Sequence, residues 1–235
     1  MHNKFNSISI VLPAFNEARN VETSVTMVRD AMAGLFEEIE IIVVDDGSTD
    51  DTAGILATLR RGHNDLLIIR HAENRGYGAA LCSGLFSAKK DLVFFTDADR
   101  QFDLREVRRL VAWIHDYDLV VGYRKNRADP WHRRFNARGW NLLVRLILGL
   151  QVEDIDCAFK LFRREIFDRI ELVSAGAMIN TELFARARQL GLRFKEVPVS
   201  HYPRAAGKQS GANPKVVLTA FGELIRIRRC LRRLR

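Results

Sequence analysis

The 235-residue chain reads as an α/β protein built on a mostly parallel central sheet with flanking helices. Three observations carry that expectation. Short apolar runs rich in β-branched residues recur along the first half of the chain, helix-length segments separate them, and most of the runs end in a polar cluster. Strand and helix alternating in this way favour right-handed crossovers within one sheet.

The runs are 8–12, 39–44, 66–69, 92–95 and 119–121, each short and nearly continuous, as strands buried on both faces should be. Between them the sequence predicts helices at about 17–34, 51–62, 76–90 and 103–116. Beyond 124 the alternation breaks down. A basic loop at 124–138 leads to an apolar helix at about 138–149, a strand at 157–163, a helix at 180–190 and a strand at 193–199. A polar, glycine-containing loop at 201–213 then precedes a last helix from about 214. The organisation predicted is one domain over 1–213 with a basic amphipathic helix over 214–235.

With 47% hydrophobic residues the chain can bury a full core. No apolar stretch reaches the roughly 18 to 20 residues that cross a bilayer. Met1–Ser7 lacks the features of a signal peptide, so a cytoplasmic location is expected. Cys82, Cys157 and Cys230 lack metal-ligand spacing and read as reduced structural thiols. The net charge of +8 is concentrated in the tail, where 226–235 (RIRRCLRRLR) holds six arginines in ten residues.

In open α/β sheets ligands gather beyond the carboxyl ends of the strands. The fourth run ends in Asp97-Ala98-Asp99, with Gln101 two positions on. Paired carboxylates at the end of a buried strand repel unless a cation neutralises them. An all-oxygen site suits Mg2+ or Mn2+, which can bridge a nucleotide diphosphate and stabilise it as a leaving group. A helix N-cap explains the same residues, and this motif alone does not choose. The second run ends in Asp45-Asp46, able to accept from a base N–H or a ribose hydroxyl, whereas Ser48 to Asp51 fit turn and cap chemistry. Pro13-Ala14-Phe15-Asn16-Glu17 has no glycine, which disfavours a dinucleotide-binding turn. Gly76 and Gly78 suit either a phosphate or close helix packing.

The ordered set VLPAFNE (11–17), VVDDGSTD (43–50), NRGYGAAL (74–81), FTDAD (95–99) with Gln101, and VVGYR (120–124) resembles glycosyltransferase family 2 with its GT-A fold. Within it the chain is most similar to polyprenyl-phosphate sugar synthases of the dolichol-phosphate mannose synthase type. The resemblance runs from about 8 to 213. It implies that Pro13, Ala14, Phe15 and Glu17 contact the nucleoside, with Phe15 where the family usually has Tyr. It also implies that Val44 with Asp45 or Asp46 holds the base or ribose, and that Asp97, Ala98 and Asp99 meet the diphosphate. Asp97, Asp99 and Gln101 match the metal ligands; Arg124 and Arg138 match cations near the donor diphosphate or acceptor phosphate. Asp154 to Phe159 resembles a D-P-x-S-G-F segment in which Ala158 replaces glycine. The usual R-x-x-G-x-S-K reads Arg204-Ala205-Ala206-Gly207-Lys208-Gln209-Ser210, its lysine two positions early.

A hydroxyl acceptor needs a base, whereas an ionised phosphate needs cations. Arg124, Arg138, Arg204 and Lys208 favour phosphate; Glu153, Asp154 and Asp156 keep a base available. The expected reaction is inverting transfer from a UDP- or GDP-sugar to a polyprenyl phosphate, with Asp97, Asp99 and Arg124 as catalytic residues. The alternatives are a family-2 enzyme acting on a saccharide or other hydroxyl, and a nucleotide-sugar-binding module without catalysis. Leu224, Ile227, Leu231 and Leu234 follow helical spacing among the tail arginines, which predicts peripheral docking on the cytoplasmic face of a membrane. The same stripe equally suits the domain core or a second copy in a homo-oligomer. Nucleic acid is disfavoured, because the acidic strand ends repel a phosphate backbone.

Overall fold

The computed structural model describes residues 5–125, 139, 142–203 and 222–230, so the expectations placed on Arg138, Arg204, Lys208, Leu231 and Leu234 lie outside the described residues. Its strands are β1 (Ser7–Ala14), β2 (Glu38–Asp45), β3 (Leu66–Arg70), β4 (Leu92–Thr96), β5 (Leu119–Arg124), β6 (Phe159–Arg163) and β7 (Phe194–Val199). The helices are α1 (Val21–Met32), α2 (Thr52–Gly62), α3 (Tyr77–Ser87), α4 (Val107–Val111), α5 (142–148), α6 (Ile179–Gln189) and α7 (222–230).

The seven strands form one sheet in the order β3-β2-β1-β4-β6-β5-β7. Every pair is parallel except those of β6, which runs antiparallel to both β4 and β5. The sequence predicts a strand at 157–163 without fixing its direction. β6 starts from the edge where β5 ended and runs the other way. The polar ends of β1, β2, β4 and β5 accordingly share one edge, as the sequence predicts.

The strands are buried because both faces are covered. Ile8, Ile10 and Leu12 of β1 and Leu92 to Phe95 of β4 are all fully buried. Phe94 packs edge-on against Phe159 at 4.8 Å, and Phe95 stacks on Phe162 at 6.2 Å. On α1, Val21, Val25, Val28 and Met32 recur at helical spacing and form the buried face. Gly84 lets α3 lie close to the sheet, since a Cβ there would come within 2.3 Å of Val11 Cγ1. The helix expected at 103–116 is interrupted. It is a 3-10 turn at Leu104–Glu106, capped by the Asp103 carboxylate on the Arg105 amide at 3.1 Å, followed by the short α4.

At the other end of the chain, Leu224 and Ile227 of α7 are buried in the domain core, which corrects a lipid-facing reading of those two residues. Each contributes roughly 1.5–3 kcal/mol by burial, enough to hold the helix down. What α7 shows to solvent is Ile225 with Arg226, Arg228 and Arg229. No helix among the described residues is long and apolar enough to cross a membrane.

Candidate active site

The loops after β1 and β2 are stitched together by Asn16. Its side-chain oxygen accepts from the Thr49 amide at 2.8 Å and the Thr49 hydroxyl at 3.2 Å, while its own amide donates to Ser48 Oγ at 2.9 Å. Asn16 takes a left-handed backbone (φ 56°) to do so, a conformation Asn tolerates better than most residues. Asp50 accepts from the Thr52 amide and hydroxyl and from the Ala18 amide, which ties the turn before α2, whereas Asp51 at the N-cap makes no side-chain cap hydrogen bond. Glu17 Oε2 accepts from the Asn20 side-chain Nδ2 at 2.6 Å, and its carbonyl accepts from the Asn20 and Val21 backbone amides where α1 starts. Pro13 and Ala14 are buried strand residues; Phe15 and Asn16 are exposed, and Phe15, 44% accessible, is the exposed aromatic of the segment.

Asp45 and Asp46 separate into two jobs. Asp46 accepts from His71 Nδ1 at 2.6 Å, the Arg75 amide at 2.9 Å and the Gly76 amide at 2.8 Å, so both of its oxygens hold the loop before α3. His71 in turn meets Ser83 Oγ at 2.9 Å. Asp45 Oδ1 accepts from the Ser48 amide at 3.0 Å, while Oδ2 is buried without a hydrogen bond and lies 3.3 Å from Arg70 Nε. Of the two, Asp45 keeps acceptor capacity. Val44 is fully buried, its methyl packed toward Gly84 of α3, so its side chain belongs to the core and not to the nucleoside edge.

Gly76 and Gly78 are packing glycines. A Cβ on Gly78 would sit 2.4 Å from the Ser174 carbonyl oxygen, and one on Gly76 would sit 2.6 Å from that of Ala175. The Ala79 amide also donates to the Ala175 carbonyl at 3.1 Å. The loop is thus held between Asp46 on one side and residues 174–176 on the other; close approach calls for both glycines, and at Gly76 the positive φ of 97° calls for one as well.

That loop delivers Tyr77, whose hydroxyl donates to Asp97 Oδ1 at 3.0 Å. Burial, and then the charge of Asp99, push the Asp97 carboxyl up from 3.8 to about 7, against the pull of Tyr77, Lys160 and Arg124. Two acids crowded at the end of a buried strand behave as a site waiting for positive charge. Ala98 is buried, and its carbonyl accepts from Ser24 Oγ of α1 at 2.6 Å, which fixes the segment from below. Arg100 follows with φ 61°; it and Asn16 are the only non-glycine residues with positive φ among the described residues, and both lie in loops of this edge.

Gln101 is turned toward the last strand. Its Nε2 donates to the Tyr202 carbonyl at 3.0 Å, and the Tyr202 amide donates to the Gln101 carbonyl at 2.8 Å. Only its side-chain oxygen remains for a cation in this arrangement. No group of three or more His, Cys, Asp or Glu side chains is assembled for a metal among the described residues. Two carboxylates still fit a hard dication, since Mg2+ and Mn2+ complete their shells with water and phosphate oxygens. The carboxylate that caps the next turn is Asp103, while Asp99 Oδ1 accepts from the Gln101 backbone amide at 3.3 Å.

Arg124 forms a bidentate pair with Asp154, Nε to Oδ2 at 2.6 Å and Nη2 to Oδ1 at 2.7 Å, with both side chains largely buried. Its fork is therefore held in place, and Asp154 is committed to it. Beneath lies Lys160, wholly buried in β6. Its ammonium donates to the carbonyls of Ile155 and Cys157 and to Asn180 Oδ1, and sits 5.0 Å from the Phe95 ring centre. Burial pulls Lys160 down from the usual lysine range. Tyr77, His71, Asp154 as a clamp and Lys160 are site residues the sequence reading missed. The signal for Lys160 was available: a single cation inside the apolar strand FKLF.

A mostly parallel sheet with one reversed strand and carboxylate pairs closing two strands is a GT-A type architecture. The chain belongs to glycosyl transferase family 2, whose model matches residues 9–171. It is 33% identical over 212 residues to the glycosyltransferase AglD of Haloferax volcanii, covering 86% of this chain and 34% of that protein. The chain thus spans about a third of that relative's length. Among solved structures, glucosyl-3-phosphoglycerate synthase from Mycobacterium tuberculosis with UDP superposes with a TM-score of 0.72 at 22% identity, covering 95% of this chain and 80% of that one. The same enzyme with Mn2+, UDP and phosphoglyceric acid gives 0.71 at 22% identity, covering 95% and 78%.

Proposed function

We propose that this chain transfers a sugar from a nucleotide-sugar to a phosphate acceptor, polyprenyl phosphate, with inversion at the anomeric carbon. The observation that carries the proposal is the Asp97–Asp99 pair, where burial and mutual repulsion hold Asp97 near 7. Asp97 and Asp99 would hold Mg2+ or Mn2+, which supplies Lewis-acid stabilisation of the departing diphosphate. Asp45 contacts the nucleoside through Oδ2, the oxygen that no hydrogen bond satisfies, and Phe15 offers a ring for the base to stack on. Tyr77 holds Asp97 in place, and Arg124, pinned by Asp154, keeps a fixed positive charge close to it.

In the transfer itself an acceptor phosphate oxygen bonds to the anomeric carbon as the bond from that carbon to the nucleoside diphosphate breaks, and the diphosphate leaves with the electron pair. An ionised phosphate needs no base. Asp154 is spent on Arg124, which removes one of the three candidate bases, while exposed Asp156, close enough to Tyr77 to act on it electrostatically, stays with the hydroxyl alternative. Arg138, Arg204 and Lys208 complete the proposed acceptor cations. Docking on the cytoplasmic face of a membrane would rest on Arg226, Arg228 and Arg229, each contributing about 1 kcal/mol near an anionic surface.

The test is a donor screen by thermal shift. UDP-sugars come first, because the synthase that shares the fold binds UDP with Mn2+. A metal-dependent shift with one donor supports the reading, and that donor is then offered with polyprenyl phosphate or with soluble glycans. Product on glycans alone would replace the phosphate acceptor by a hydroxyl; tight donor binding with no product on either would leave a binding module.

A further inference from the structure

A groove of about 320 Å3 opens on the far side of the acidic pair from the nucleoside edge, at the carboxyl ends of β5 and β7. Lys125 lines one side, directly after β5, and its amide donates to the Val199 carbonyl at 3.3 Å. Arg109 of α4 lines another, anchored to the Pro198 carbonyl at 3.1 Å with more than half of its side chain exposed. Ser200, His201 and Tyr202 form the wall between them. That wall is shared with the acidic loop: Tyr202 and Gln101 exchange two hydrogen bonds, and the His201 ring meets Phe102 at 5.4 Å.

The charges settle what the groove takes. Glu106 lies against it, but its oxygens receive the Ser200 amide at 2.6 Å and hydroxyl at 3.1 Å as well as Arg109 at 3.2 Å. Lys125 has no acidic partner among the described residues. The exposed Tyr202 side chain adds a phenol. The volume is at the small end of the roughly 300–1,000 Å3 usual for ligand sites, which suits a compact polar headgroup. We propose that this groove helps to seat the phosphate monoester of the acceptor, Lys125 adding a cation to those named above, with Arg109 and Tyr202 beside it. The proposal rests on the phosphate-acceptor reading and places that phosphate on residues outside the family motifs.

Two probes carry the same phosphate chemistry from different sources: octyl phosphate stands for a lipid headgroup, and 3-phosphoglycerate for a soluble acceptor. Each is titrated calorimetrically into the wild type and into Lys125→Met, Lys125→Arg and Lys195→Met, all checked for a native melting profile. Lys195 lies at the opposite end of β7, over Trp113, and controls for general charge. Expected is at least about tenfold weaker binding in Lys125→Met, as for a lost charge-assisted hydrogen bond, with recovery in Lys125→Arg and no loss in Lys195→Met. Tighter octyl phosphate makes the acceptor lipid-borne, and tighter 3-phosphoglycerate makes it soluble; both support the groove. Absence of binding by the wild type to either probe, or an equal loss in Lys195→Met, overturns it. Failure of the transferase reading shows separately, as absence of any donor and metal shift in the wild type.

Discussion

Replacing Asp97 by Asn should make the metal-free protein more stable while removing its function. Asp97 is raised from 3.8 to about 7 in the folded state, so folding favours its protonated form. Stability is then fully present below the unfolded value and is lost as pH rises through the folded one. At about 1.4 kcal/mol for each pH unit between them, ionisation costs the fold up to about 4 kcal/mol. Asn keeps the shape, stays neutral and still accepts from Tyr77. Domains of this size gain about 2–4 °C in Tm for each kcal/mol, so the ceiling of the gain is roughly 8–16 °C. Differential scanning fluorimetry of both proteins with chelator from pH 4 to 8 checks this. The advantage of the variant should grow from pH 4 to about 7 and then level off. An advantage that is flat with pH, or a wild type more stable than the variant at pH 8, would refute the repulsion account.

Asp45→Asn and Asp46→Asn should dissociate: the first weakens donor binding with a modest change in Tm. The second leaves buried donors from His71, Arg75 and Gly76 poorly satisfied and costs about 3–5 kcal/mol in urea unfolding. Gly78→Ala should lose about 1–3 kcal/mol or more, measured the same way, because its Cβ meets backbone that has no room to give. Lys160→Met strips two carbonyls and Asn180 of their donor; about 1–3 kcal/mol for each orphaned group predicts a protein that melts early. Burial pushes Cys82 and Cys157 up to about 12, so both should react slowly with a thiol reagent at pH 8.

The parallel half of the fold was legible because continuous apolar runs ending in acids are a local signal. The placing of Asp45, Asp97 and Asp99 at strand ends was legible for that reason. The direction of β6 was not legible, since it depends on where a long excursion returns and on nothing within FKLF. Nor was the division of labour between Asp45 and Asp46, which is decided by His71 and two amides some 25 to 30 residues on. The apolar stripe of α7 showed its period but not its partner. Leu224 and Ile227 found the domain itself, and a hydrophobic face read from sequence carries no address.

The carbonyls of residues 174–176 press against Gly76 and Gly78 and receive the Ala79 amide. The segment that aims Tyr77 at Asp97 therefore rests on chain lying beyond the end of the family match at 171. A fragment cut at that boundary would keep the motifs between 11 and 124 and lose the seat beneath one of them. During synthesis the same dependence imposes an order: the amino-terminal half emerges first, yet its tyrosine lacks this support until the later chain arrives. The Tyr77 contact with Asp97 gains its full support only once residues 174–176 have been made.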